Sequence, residues 1–181
     1  MKIQWIISIS IGAICILLIT LTPEVSQLSH PDGQLKFNSH TIGPKTHNWV
    51  TLENVSQHLI HAIIVAEDVH FLSHHGLDFG EIWSSLSLNL KEKRIVRGGS
   101  TITQQLIKNL VLTPEQTVER KVQEAALAVR LEDQLSKDEI YEIYLNTVYF
   151  GGSAYGIKAA AEVYFGLDLA NKGPEEIQAT L

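Results

Sequence analysis

Apolar positions fall into a small number of blocks along the chain, and the first block is unlike the rest. From Ile3 to Leu21 there is no charge, and 14 of these 19 positions are apolar. A helix of that length spans about 28 Å, close to the ~30 Å hydrocarbon core of a bilayer. The pattern predicts a transmembrane anchor over residues 1–22, with Trp5 at one interface. A cleaved signal peptide is the rival reading, but its apolar region is shorter and ends in small residues. Here the run ends Ile19-Thr20-Leu21-Thr22-Pro23. Lys2 precedes the segment, and Glu24 and Asp32 follow it, which predicts that the N-terminus lies inside and the remainder outside.

Residues 23–48 read as a polar linker: Pro23, Pro31, Gly33, Gly43 and Pro44 stand among Ser, His, Asn and Gln, and no apolar period persists. Leu35 and Phe37 alternate, a weak sign of extended chain. Helical spacing begins at Trp49, and residues 49–181 read as one domain. Leu59, Ile60, Ile63, Ile64 and Ala66 mark a first helix ending near Glu67. Ile82, Trp83, Leu86, Leu88 and Leu90 mark a second that is apolar around much of its circumference, and Thr101–Leu112 a third. Thr113 as N-cap, Pro114 at N1 and Gln116 at N3 predict the start of a fourth, with Val118, Val122, Ala125 and Val129 on its apolar face. Ser136 and Glu139 form a second capping box ahead of Ile140, Ile143 and Tyr144. Ala159, Ala160, Ala161 and Val163 suggest a helix after Gly156. No long Val/Ile alternation bounded by turns occurs, so the predicted fold class is all-α.

Composition narrows the field. Fourteen basic and 20 acidic residues give a net charge of −6, which argues against a broad nucleic-acid-binding surface. Cys15 is the one cysteine of the chain, which excludes a disulfide framework and a cysteine-based zinc site.

Five segments carry candidate chemistry. In Ala66-Glu67-Asp68-Val69-His70-Phe71-Leu72-Ser73-His74-His75-Gly76-Leu77-Asp78, two acids follow an apolar helix. A carboxylate at such a helix end can be partly desolvated and so suit a general base, or it can be a solvated surface acid. His70 and His74 stand at metal-ligand spacing, without the HExxH pattern. Arg97-Gly98-Gly99-Ser100-Thr101-Ile102-Thr103-Gln104-Gln105-Leu106-Ile107-Lys108-Asn109 combines a glycine pair with neutral donors and the cation Lys108, which suits a sugar or a diphosphate. It is not a P-loop. Arg120-Lys121-Val122-Gln123-Glu124 sets a carboxylate beside two cations on one helix face, the pattern of a surface salt bridge when taken alone. Tyr144-Leu145-Asn146 through Gly151-Gly152, and Tyr155 through Tyr164-Phe165-Gly166, read alone as packing and turns.

Taken in order and spacing, the five segments resemble the peptidoglycan glycosyltransferases: the transglycosylase domain of class A penicillin-binding proteins and their monofunctional relatives. Glu67, Asp68, Phe71, His74 and Gly76 match every fixed position of the family's first motif. Gly98–Asn109, Arg120/Lys121/Glu124, Tyr144-Leu145-Asn146 and Tyr164-Phe165-Gly166 match the others. The resemblance runs from about Trp49 to Leu181 and implies a lysozyme-like helical domain behind a membrane anchor.

It also implies the reaction: polymerisation of lipid II into β-1,4-linked glycan strands, with inversion and release of undecaprenyl diphosphate. Glu67 is then the general base. Glu124 is the second glutamate, orienting cations, holding a divalent cation such as magnesium, or helping the leaving group depart. Lys108, Arg120 and Lys121 would neutralise the diphosphate. Asp68, Phe71, His74, Gly98, Gly99, Ser100, Thr101, Gln104, Gln105, Asn109 and Asn146 complete the expected substrate-binding set. The implied partners are lipid II, the growing strand, the bilayer and other cell-wall synthesis proteins, with no nucleic acid. The implied location is the outer side of the bacterial cytoplasmic membrane.

The sequence departs from the family at Leu167, where a basic residue is common, and at Tyr141, where an aliphatic one is. The last residues, Pro174–Leu181, read as the first turns of a helix that stops short, which implies that the end of the family domain is missing. Two other readings stay open: a muramidase-like hydrolase built on two carboxylates, and a truncated, non-catalytic membrane protein that binds lipid II or a cell-wall synthesis partner.

Overall fold

The computed structural model describes residues 35–37, 40–43, 49–110, 112 and 117–166. The anchor expected over residues 1–22, Thr113, Pro114, Gln116, Leu167 and the segment from Pro174 lie outside them. Among the described residues no helix is long and apolar enough to cross a membrane.

Among the described residues six α-helices account for most of the chain: α1 (Gln57–Glu67), α2 (Phe79–Glu92), α3 (Ile102–Leu110), α4 (Val118–Glu132), α5 (Lys137–Thr147) and α6 (Ile157–Phe165). The fold is therefore mostly helical, not all-α, because two small antiparallel hairpins interrupt it. β1 (Leu35–Phe37) pairs with β2 (His40–Ile42), inside the stretch read as a linker and at the alternation of Leu35 and Phe37. β3 (Tyr149–Gly151) pairs with β4 (Ala154–Tyr155), and Gly152 and Ser153, both at positive φ, reverse the chain in two residues.

The core forms where α3, α4 and α5 pack together. Ile102, Leu106 and Ile107 meet Leu127 and Leu131, and Ile140 and Leu145 close the layer. α5 begins with the expected capping box: the Ser136 hydroxyl accepts the Glu139 N–H and the Glu139 carboxylate accepts the Ser136 N–H. Tyr141 ties α1 to α5, its hydroxyl donating to Ile60 O at 3.0 Å and its ring lying 5.7 Å from that of Phe71.

Two expectations about α4 are corrected. Its N-cap is Thr117, in extended conformation, whose hydroxyl accepts the Arg120 N–H at 3.1 Å. The helix thus begins later than a start at Thr113 would place it. Its buried face is Glu124, Leu127, Ala128 and Leu131, while Val118 is exposed. The sequence pattern misses this face because a glutamate opens it. α2 shows the opposite inversion. Phe79, Trp83, Leu86 and Leu90 all stand exposed along one stripe, and Ser85 is its one buried residue.

Two side chains of α5 fasten the segment ahead of α1. Asn146 Oδ1 accepts the Val50 N–H and Asn146 Nδ2 donates to Val50 O, both at 2.8 Å. Glu142 accepts from Trp49 Nε1 at 2.7 Å and from the Leu52 N–H at 2.9 Å.

Candidate active site

The end of α1, the start of α2, the loop before α3 and one face of α3 enclose an open cleft of about 430 Å³. α1 ends at Glu67 because Asp68 leaves helical geometry, with φ −160°. The two adjacent acids then part. Glu67 stands exposed at the cleft, and Asp68 is buried. Desolvation by the apolar helix thus falls on Asp68 and not on Glu67, since Val65 and Ala66 beside Glu67 are themselves exposed.

Glu67 is held by a short relay. Gln105 Nε2 donates to Glu67 Oε2 at 3.0 Å, and the Tyr144 hydroxyl donates to Gln105 Oε1 at 3.3 Å. Burial, reinforced by the nearby Glu67, Tyr141 and Asp68, pushes the Tyr144 phenol far above its ordinary range. It therefore stays protonated and remains a donor, which fixes the Gln105 amide with its NH2 toward Glu67. Glu67 Oε1 has no protein partner among the described residues.

Asp68 supports the wall behind. Its Oδ2 accepts the Ile102 N–H at the start of α3 and the His74 Nε2–H, both at 2.9 Å. Glu132 lies behind His74 and is itself held by Thr103 Oγ1 at 2.6 Å and Lys137 Nζ at 2.7 Å. Lys137 sits over the Phe71 ring. Phe71 and His74 are thus placed in the scaffold beneath the cleft, while Asp68, though buried, also lines it. His70 does not share a site with His74; it pairs with Asp78 at 2.6 Å. Asp78 also caps α2, and the Glu81 N–H it accepts holds its carboxyl below the ordinary carboxylate range, with His70 assisting against the effect of burial.

The opposite wall is the backbone of Gly98, Gly99 and Ser100, with Lys108 exposed one turn beyond Gln105. Lys121 reaches Ser100 Oγ at 2.8 Å. Thr101 and Gln104 form a capping box for α3: the Thr101 hydroxyl accepts the Gln104 N–H, and Gln104 Oε1 accepts the Thr101 N–H, both at 3.1 Å. The pattern Thr-x-x-Gln was present in the sequence as a helix-start signal. Thr101 also donates to Gly76 O at 2.8 Å. Gly76 has φ +82°, and a Cβ there would lie 2.7 Å from Val129 N, so only glycine lets this turn reach α4.

Glu124 is 1% exposed and does not line the cleft. Its Oε1 accepts from Gln104 Nε2 at 3.2 Å and from Lys121 Nζ, and Arg120 stands 3.9 Å from its Oε2. A divalent cation does not fit here: two side-chain cations already surround the carboxylate, and one would have to be displaced. Among the described residues no group of three or more His, Cys, Asp or Glu is arranged to hold a metal. Asn109 does not line the cleft, and Asn146 spends its amide on Val50 and on Glu142 O.

The model of the family described as Transglycosylase matches residues 36–179. The chain belongs to the transglycosylase family. It is 46% identical over 130 residues to a biosynthetic peptidoglycan transglycosylase of Nitrosomonas eutropha, covering 72% of this chain and 53% of that protein. It is 44% identical over 144 residues to penicillin-binding protein 1A of Aquifex aeolicus, covering 80% of this chain and 19% of the relative. For penicillin-binding protein 1A of Escherichia coli the identity is 44% over 140 residues, covering 77% and 16%. The chain thus spans about half the length of the curated biosynthetic transglycosylase and a fifth or less of the two penicillin-binding proteins.

For a transglycosylase domain, the structure adds Glu81, Glu132 and Lys137, which sequence reasoning did not single out, and gives roles to Asp78, Arg97 and Tyr144, which lie within the candidate segments. Asp78, Glu81 and Arg97 form the rim of the cleft, with Arg97 Nε 3.0 Å from Glu81 Oε1. Tyr144 orients Gln105, and Glu132 with Lys137 backs His74.

Proposed function

We propose that this chain is a membrane-associated peptidoglycan glycosyltransferase that polymerises lipid II. The observation that carries the reading is that Glu67 and Lys108 line one open cleft together with Gly98 and Gly99. An alcohol is a poor nucleophile near neutral pH, so a positioned carboxylate is what the acceptor requires. Glu67 takes the proton of the acceptor sugar's 4-hydroxyl as that oxygen bonds the donor's anomeric carbon. The bond from that carbon to the lipid diphosphate breaks on the opposite face, which inverts the centre.

A diphosphate leaves without needing a proton, but its charge needs neutralising. Lys108 lies in the cleft for this purpose. Lys121, half exposed beside Ser100, is next in reach, with Glu124 holding it in place. A hydrolase acting on a neutral sugar leaving group has no use for these cations.

The exposed stripe of Phe79, Trp83, Leu86 and Leu90 on α2 suits a lipid surface. Burying such a side chain fully is worth roughly 1.5–3 kcal/mol. Together with an anchor over residues 1–22, it would hold the cleft at the bilayer where a lipid-linked donor arrives, on the outer face of the cytoplasmic membrane.

The test is polymerisation of purified lipid II by the detergent-solubilised chain, with Glu67→Gln alongside. Glycan strands that vanish in the variant support the reading. Lipid II binding without polymer in the unaltered chain favours the non-catalytic alternative.

A further inference from the structure

The loop that forms the glycine-lined wall owes its position to α2. Asn89 Oδ1 accepts the N–H groups of Val96 and Arg97 at 2.7 and 3.1 Å, and Asn89 Nδ2 donates to Arg97 O at 2.9 Å. One carboxamide therefore satisfies three backbone groups of a loop that has no regular partner. One turn earlier, Ser85 Oγ lies 3.1 Å from Gly98 O and 3.0 Å from Glu81 Oε1, and its single proton serves these two acceptors. A further turn back, Glu81 pairs with Arg97.

These residues recur at i, i+4 and i+8 on a face of α2 distinct from its exposed apolar stripe. The loop backbone also approaches α2 closely. A Cβ on Gly99 would lie 3.1 Å from Ile82 Cα, nearer than ordinary packing allows. Ser85 is the buried residue of α2, so the polar face is the packed one.

We propose that Asn89, assisted by Ser85, is a positioning residue for the cleft: it holds the backbone of residues 96–98 so that the wall of Gly98, Gly99 and Ser100 takes its ligand-binding shape only with α2 docked. The role in binding rests on the proposed reading of the cleft as a lipid II site; the role in holding the loop does not. Asn89 touches no reacting atom, so its loss weakens binding more than turnover.

Two variants of the full chain in detergent test this. Asn89→Ala removes all three bonds. Asn89→Asp keeps the two acceptor contacts and loses the donor. In amide hydrogen exchange, Asn89→Ala should lose protection about tenfold or more at Val96 and Arg97, with α3 and α4 unchanged, and Asn89→Asp should retain most of it. With lipid II as probe, Asn89→Ala should raise KM, or Kd if no polymer forms, about tenfold, which is ~1.4 kcal/mol. kcat should stay within about threefold, and Asn89→Asp should fall between. Unchanged protection at Val96 and Arg97 overturns the proposal outright. Lost protection with unchanged affinity overturns its binding half. Should Asn89→Ala not fold, Ser85→Ala and Asn89→Asp carry the same two readouts. Absence of polymer in the unaltered chain counts against the proposed reaction and leaves both readouts intact.

Discussion

The Gln105 carboxamide donates to the Glu67 carboxylate at 3.0 Å with its own orientation already fixed by the Tyr144 hydroxyl at its other end. A hydrogen bond to a charged group is worth ~1.5–3 kcal/mol, so Gln105→Leu should lower kcat about ten- to a hundredfold. Tyr144→Phe removes only a neutral bond one step away and should cost about fivefold. Gln105→Glu should move the acid limb of the pH–rate profile upward, because a second anion beside Glu67 disfavours its ionised form. Steady-state rates on lipid II across pH distinguish these outcomes; an unmoved acid limb in Gln105→Glu argues against Glu67 as base.

Glu124 is buried between two helices, and its replacement should be felt mainly in stability. Glu124→Ala strands Gln104 Nε2 and leaves the mostly buried Arg120 guanidinium without its nearby carboxylate, but Lys121 remains half exposed and keeps its hydration. The expected loss is about 1–3 kcal/mol in denaturant unfolding, below that of a fully buried pair. Magnesium should shift the Tm of the unaltered chain and of Glu124→Gln equally. A magnesium-dependent rise confined to the unaltered chain would show a bound cation at Glu124 after all.

Acid should destabilise the fold through identifiable groups. Asp78 is depressed mainly by the Glu81 N–H it accepts, and Glu139 by its bonds from Ser136. A carboxyl with a lowered folded pKa contributes stability above its unfolded pKa, and this is lost as pH falls through the folded value. The window therefore lies below about pH 4. Asp78→Asn and Glu139→Gln retain cap geometry but lack the ionised form, so they should lower Tm at pH 7, match the unaltered chain near pH 3, and thereby narrow the drop between the two. Circular dichroism melts at the two pH values measure this, and an unchanged drop in both variants contradicts it.

The apolar stripe of α2 should meet lipid. In vesicles whose lipids carry brominated acyl chains, Trp83→Phe should reduce the quenchable tryptophan emission, while far-ultraviolet dichroism stays the same. Equal quenching with and without Trp83 would place this stripe in water.

How much of this was legible in the sequence depends on where packing overrides pattern. The capping box at Ser136 and Glu139 is a local device, and the sequence reading of α5 matches the structure. The valines suggest one apolar face for α4, yet its buried face begins at Glu124; the local pattern supplies Lys121 beside that carboxylate, but Gln104, which also meets it, comes from α3. The cleft residues Glu67, Gly98 and Lys108 were visible as motif positions. The duties of Phe71, of Thr101 toward Gly76 and of Gln104 toward Glu124 were not: they depend on which side of a helix becomes interior, and that is decided by elements tens of residues away. The short β3–β4 hairpin escaped because two positive-φ residues at Gly152 and Ser153 make a reversal with almost no strand on either side.

Asn146 and Glu142 grip Val50, Trp49 and Leu52 with four bonds, two of them made as a neighbouring strand would make them. Drawing this segment away from α5 stretches those bonds together rather than peeling them singly. Between the two gripping residues, on the same turn of α5, lies Tyr144. Tension on the chain ahead of Trp49 is therefore delivered to the turn of helix that aims Gln105 at Glu67.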